Sequence, residues 1–194
     1  MTATATQPTS ASSTTWTLDA THTNVEFGVR HLMIATVKGR FADVQGTVSL
    51  DDVDLSKSRV DVTIQTASID TREARRDEHL RSADFFNVGV YPTLTFRSRR
   101  VTDAAGDRFR LIGDLTIAGV TREVVLDVTS TGRARDPWGG ERSAFQATTT
   151  IKRSEFGLTW NQALETGGVL VGDEIKISID AELVKAAISA PSKV

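Results

Sequence analysis

Three histidines, His22, His31 and His79, and the nearby Asp19 are the side chains whose types could hold a metal. No spacing among them is a known ligand pattern. Asp51, Asp52 and Asp54 cluster as calcium ligands do, yet they lack the glycine and the distal glutamate of an EF-hand loop. The chain has no cysteine, which removes thiolate ligands, a cysteine nucleophile and any disulfide framework. It also has no G-x-S-x-G elbow, no P-loop and no dinucleotide fingerprint. The reading is therefore of a protein with no catalytic residues, no metal and no cofactor. Two cations stay of interest, His31 and Arg153, and their interest depends on the elements that carry them.

Those elements are mostly strands. Val25, Phe27 and Val29 alternate with polar residues or glycine. The same period of two recurs in Val60-Val62-Ile64, Leu94-Phe96, Phe109-Leu111, Leu115-Ile117, Val124-Leu126-Val128, Phe145-Ala147 with Ile151, and Ile175-Ile177-Ile179. Alternation of this kind marks strands with one buried and one wet face. The apolar parity shifts by one around Phe41 to Val44, as at a bulge or bend. Turn residues at Asp51-Asp52, Asp103 to Asp107, Ala118-Gly119 and Pro137 to Gly140 separate the strands. One helix is predicted, over Arg72 to Ala83, with Asp70 and Glu73 resembling a capping box. It is heavily charged, and Leu80, Phe85 and Phe86 are its anchors.

Seven or eight antiparallel strands with one apolar face make a sandwich or a closed barrel, and their length favours the barrel. Small inward residues, Gly113, Ala147, Ala181, Ser98, Ser130 and Thr149, are expected to leave room for a ligand. If the strands run up and down, His31, Arg153, the helix and the loop from Ser154 to Gly172 share one end. By parity His31 continues Val25-Phe27-Val29, and Arg153 continues Phe145-Ala147-Thr149-Ile151, so both are expected to point inward at that rim. There they could meet the polar end of an amphiphile.

The 194 residues fit one domain, and 23 basic against 25 acidic residues give a net charge of −2. That balance argues against a nucleic-acid partner. No apolar run is long enough to span a membrane. The first 15 residues carry no Lys or Arg and no apolar core, unlike a secretory signal, so a cytoplasmic location is expected. Residues 1–15 are read as a disordered tail, 16–186 as the barrel domain and 187–194 as a flexible tail.

Four stretches, WTLDATHTNVEFGVRHL, HLRSADFFNVGVYPTLTF, LIGDLTIAGVTREVVLDV and TIKRSEFGL, resemble in order the signature stretches of the YceI-like family. The resemblance implies an all-β protein, an extended eight-stranded antiparallel lipocalin-like barrel with one inserted helix. It also implies an interior that holds a long apolar chain, polyisoprenoid or fatty-acid-like, as a carrier, storage or sequestration protein. His79-Leu80 and Asp84-Phe85-Phe86 match its H-L-x-S-x-D-F-F stretch; Arg153 and Phe156 match its R-x-D-F-G, with Glu155 in place of Asp. The ligand contacts expected in total are Phe27, Val29, His31, Phe41, Val62, Ile64, Leu80, Phe85, Phe86, Phe96, Leu111, Leu115, Leu126, Phe145, Thr149, Arg153, Phe156 and Ile177. Left open are a homodimer, an enzyme acting on an isoprenoid-like substrate, and a stress-response interaction module with an incidental cavity.

Overall fold

The computed structural model describes residues 13–165 and 167–186. Its strands are β1 (Ser13–Leu18), β2 (Asn24–His31), β3 (Ala35–Phe41), β4 (Val44–Asp51), β5 (Arg59–Gln65), β6 (Ile69–Asp70), β7 (Thr93–Ala105), β8 (Arg108–Ile117), β9 (Val120–Arg135), β10 (Glu141–Lys152) and β11 (Val171–Lys185). The one α-helix, α1, spans Ala74–Arg81. Strand β1 starts at Ser13, inside the stretch expected to be a tail; the remainder of that tail and residues 187–194 lie outside the described residues.

All the strands pair antiparallel in one sheet, and β1 bonds to both β4 and β11, which closes it. The wall is eight strands around because three of its lines are broken in two. Strand β11 pairs with β1 through Leu183–Lys185 and with β2 through Val171–Asp180. Likewise β3 and β4 form one line, interrupted at Ala42-Asp43, and β5 and β6 another. The parity shift read around Phe41 to Val44 is this interruption. Bonds across the break, Ala42 N–H to Ser68 O and Gln65 N–H to Asp43 O, keep the lines together.

One pairing is missing. Strand β7 begins at Thr93, opposite Gln65, and β6 has β3 as its only strand partner among the described residues. Above that level the chain departs through α1 and returns at Tyr91-Pro92, so the wall stands open between β6 and β7. The helix there starts three residues later than the capping box predicted. Glu73 is its N-cap, its carboxylate accepting from the N–H groups of Arg75 and Arg76, while Asp70 accepts from Arg72 N–H in the preceding turn. Short acceptors at either position satisfy helix-start donors, so the sequence left the choice open.

The two ends differ. At the end holding the turns 19–23, 52–58 and 136–140, Trp16 (1% exposed) packs with Val48, Leu50 and Leu183, the Arg133 guanidinium lies over its ring, and its indole donates to Thr14. The main cluster lies along the barrel, with Leu111, Val124, Leu126, Val128, Ala147 and Ile151 packed on Leu94 and Phe96. Gly113 is buried, and a side chain there would meet the Phe96 ring at 2.6 Å and the Arg97 carbonyl at 2.5 Å. The small residue expected to leave room thus accommodates a ring that lies flat on the wall. Gly39 likewise lies under Phe27.

Replacing Gly113 by Ala is expected to destabilise the barrel by about 1–3 kcal/mol in equilibrium urea unfolding, because the backbone oxygen facing the new methyl cannot swing away. A change of less than a few tenths would mean that the wall relaxes there freely.

Candidate functional site

The candidate site is the interior above the Trp16 plug and the open end over it. On β11, Ile175, Ile177 and Ile179 alternate with exposed Lys176, Ser178 and Asp180, so the isoleucines face inward, yet each is only half-buried. Phe27 and Val29 on β2, Phe41 on β3, Val62 and Ile64 on β5, Leu115 on β8, and Phe145 and Thr149 on β10 are half-buried too. The opposite wall is tighter: Phe96, Leu111 and Leu126 are each below 10% exposed. The inner surface that remains accessible therefore runs mainly along β11, β2, β3 and β5 and is apolar.

The two phenylalanines after the helix divide their work. Phe86 meets Phe41 edge-on at 5.9 Å, and Phe41 lies 5.7 Å from Phe27, so a line of three rings runs from the turn after α1 over β3 to β2. Phe85 turns to Trp160 at 5.3 Å, and His79 stands edge-on to both rings while its Nε2 lies 2.9 Å from Asp84. This aromatic group joins the helix to the loop after β10. Each such ring pair contributes about 0.5–1.5 kcal/mol beyond its buried area. Sequence reading missed Trp160; its signal was a second aromatic, four residues after Phe156, in the loop at the predicted open end. Leu80 sits half-buried on α1 and offers its carbonyl to Phe86 N–H.

Arg153 occupies the expected end but not the expected role. The chain leaves the strand at Lys152 and turns through a 3-10 segment, Arg153–Phe156, so the parity of β10 no longer applies. Arg153 is 6% exposed, and its guanidinium donates to the carbonyls of Gly172 (2.9 Å), Trp160 (2.8 Å), Leu158 and Val171. Burial pushes its pKa down, with the Asp173 carboxylate opposing the shift. Its donors are spent on the loop it clamps, which corrects the reading of Arg153 as a head-group contact. Asn161 fastens the same loop through both the N–H and the carbonyl of Val171. Phe156, 1% exposed, belongs to the packed core rather than to the ligand surface. His31 ends β2 at this rim, half-buried, its backbone opposite Val171 and Ala35.

The three histidines do not converge. His31 and His79 lie at the open end, whereas His22 lies at the plugged end with Asp19 and Glu182. Arg142 fills that trio, bonding to Asp19, Glu182 and Asp136. Asp19 is held well below the usual carboxylate range by the Thr21 hydroxyl, then Arg142 and His22, and Arg142 is pushed up by Asp19, then Glu182 and Asp136. A cation would have to displace an arginine already matched to three carboxylates. Two surface cavities, of about 500 Å³ beside Arg108, Arg110 and Asp127 and about 380 Å³ beside Trp16, Arg133 and Arg142, have charged linings and lie away from the open end. Neither suits an apolar chain.

A closed antiparallel eight-stranded barrel with a plug at one end and half-buried apolar side chains along its inner wall is a lipocalin-like architecture. The YceI-like domain profile matches residues 16–183, and the chain belongs to the YceI-like family. It is 38% identical over 170 residues to UPF0312 proteins of Staphylococcus aureus, spanning 87% of this chain and 96% of theirs. Among solved structures, the Campylobacter jejuni YceI protein is similar at 33% identity, covering 81% of this chain and 90% of that one with a TM-score of 0.70. Burkholderia cenocepacia BcnA shares the fold at 24% identity, 85% and 98% coverage and a TM-score of 0.75. So does a domain from Saccharophagus degradans, described as a polyisoprenoid binding domain implicated in plant cell wall breakdown, at 15%, 88% and 98%, and 0.64.

Arg153→Met is expected to cost about 2–4 kcal/mol of stability, since the loop carbonyls lose a charged donor. Binding of anionic and neutral chains of equal length should then fall together. Selective loss of the anionic chain, with unfolding unchanged, would restore Arg153 to head-group recognition.

Proposed function

We propose that this protein binds a long apolar or amphiphilic chain, polyisoprenoid or similar, lengthwise inside the barrel, as a carrier, storage or sequestration protein rather than as an enzyme. The observation that carries this reading is the row Ile175, Ile177 and Ile179, inward by alternation and still half-exposed. Apolar surface left accessible inside a wall is costly, at about 25 cal/mol per Å², and a chain laid along it recovers that cost. The ligand class is taken from the description of the Saccharophagus degradans neighbour and from the shape of this wall, long and without charged side chains on the inner face along residues 175–183 of β11 and 25–29 of β2.

The chain enters at the open end, past Phe86 and Phe41, with its tail toward the Trp16 plug. Its polar end stays near His31, where solvent still reaches. Nothing in this arrangement asks for a chemical step. Of the titratable groups around the mouth, Arg153 is engaged with carbonyls and His79 with Asp84, which leaves His31 alone facing the polar end.

Titration with a graded series of prenyl alcohols or fatty acids, read by displacement of a naphthalene sulfonate dye, tests the proposal. Each added methylene should strengthen binding roughly fourfold, about 0.8 kcal/mol, until the chain reaches the plug. Leu115→Trp should move that plateau to shorter chains, provided its packing tolerates the volume. Affinity independent of chain length would sink the lumen as the binding site.

A further inference from the structure

The hairpin between β2 and β3 ends in His31-Leu32-Met33-Ile34, and its composition has no explanation within the fold. Leu32 and Met33 adopt left-handed φ values of 51° and 61°, the conformation of mirror-image hairpin turns. Asn-Gly or Asp-Gly would take these positions without steric cost, whereas two bulky apolar side chains take them under strain. Nor are the side chains spent on packing. Leu32 is 36%, Met33 53% and Ile34 79% exposed, beside Val169 at 38%. The Leu32 N–H donates to the Leu170 carbonyl, so the hairpin tip and Val169 form one patch. Val90 (62%) and Tyr91 (37%) are exposed on another sector of the same end, the Tyr91 ring lying against Gly119 of the β8–β9 turn.

Charge accompanies this patch. On the outer face immediately below the tip, Gly28 is flanked by Lys38 and Lys176, and Arg30 stands one step nearer the tip. Arg30 donates to the Met33 carbonyl and the Thr36 hydroxyl, which places its guanidinium under the hairpin. None of these three has an ion pair among the described residues. Around β7, β8 and β9, most arginines (Arg97, Arg99, Arg100, Arg110, Arg133 and Arg135) are matched to carboxylates, while Arg108 and Arg122 are not matched among the described residues. The acidic residues on the same outer face are Glu26, which accepts from Asn24, Glu174, opposite Lys152, and Asp180, which accepts from Gln146; exposed Asp173 beside them accepts from the Ser154 N–H and hydroxyl.

We infer that the open end docks onto a bilayer surface bearing anionic lipid, with Leu32, Met33 and Ile34 entering the interface and Arg30, Lys38 and Lys176 meeting the headgroups. An apolar tip over a belt of unmatched cations is the pairing that interfacial anchors use. A protein partner would need a broader face to be held, whereas a bilayer accepts a narrow projecting tip. The plugged end also exposes Trp138 (86%) and Val53 (90%), but they stand singly on separate turns. This docking surface is independent of what the lumen holds.

The test is flotation of the full chain with vesicles of phosphatidylcholine alone and of an equal mixture of phosphatidylcholine and phosphatidylglycerol. The protein should float with the mixed vesicles, less with phosphatidylcholine alone, and less again at high salt. Met33→Asp with Ile34→Asp should lower the floated fraction roughly fivefold or more while dye uptake in solution is retained, which shows the barrel intact. Lys38→Glu with Lys176→Glu should lower flotation with the mixed vesicles alone, and Trp138→Ser should change nothing. The inference is overturned if neither vesicle floats the protein, or if the tip variant floats like the parent. Loss confined to Trp138→Ser overturns it too, as does a dimer in sedimentation that the tip variant abolishes without any flotation. A chain that floats but takes up no dye would instead refute the lumen reading and leave docking standing.

Discussion

The unmade pairing between β6 and β7 is the constraint from which the rest of the open end follows. A barrel wall interrupted by one line exposes the N–H and C=O groups of two strand edges, and such edges must be covered or they recruit another chain. Here the intervening residues do the covering. Arg81 donates to the carbonyls of Ala67 and Ile69, tying the end of α1 to the segment leading into β6. Asp77, buried, accepts from the N–H and hydroxyl of Thr71, while Arg76 donates to the Thr71 hydroxyl and carbonyl. The helix is thus held at its edge by polar bonds to backbone and leaves the gap itself to Phe86. A helix so rich in charge has little apolar surface to bury, so its docking depends on these bonds and on the aromatic residues behind it.

That division explains how the mouth can be covered without being sealed. Phe86 joins Phe41 and Phe27 by edge contacts between half-buried rings, and none of the three is fully enclosed. Rings in such contacts are less enclosed than Trp16 or Phe156, which are almost wholly buried. The loop beyond β10 is fixed differently. Four carbonyls converge on one guanidinium, an arrangement that holds backbone in place because a planar fork fixes several acceptors at once. The mouth is therefore framed by a clamped loop on one side and, on the other, by a helix held at its edge by polar bonds with half-buried rings behind it.

The strands and the barrel were legible because alternation of apolar and polar residues is enforced wherever one face is buried. The end shared by the helix and the loop after β10 was legible from the up-and-down order of the strands, which sets which turns share a rim. Arg153 was misjudged because parity holds only while the chain stays pleated, and its 3-10 turn begins at that residue. Its partners are backbone carbonyls, which every sequence has and none displays. Gly113 shows the complementary limit. A small inward residue signals space, yet whether that space is a cavity or the bed for a neighbour's ring depends on register, and here Phe96 leans into it. The interrupted line at Ala42-Asp43 appeared in the sequence only as a shift of phase, because a bend and a bulge alter parity alike, and the break over 66–68 was not read at all.

The polar chemistry and the apolar chemistry are segregated along the barrel axis. At the plugged end Arg142 gathers Asp19, Asp136 and Glu182, and Trp16 closes the interior beneath Arg133 and Lys185. These groups are matched to one another and span β1, β10, β11 and the turns between them, so they pin the strands whose pairing closes the sheet. At the other end the apolar side chains are only partly enclosed. Local stability follows enclosure, so the plugged end is expected to set the global stability of the fold while the open end fluctuates above it. Such a gradient lets helix, hairpin tip and aromatic line rearrange around a chain without breaking the closure made by β1 and β11.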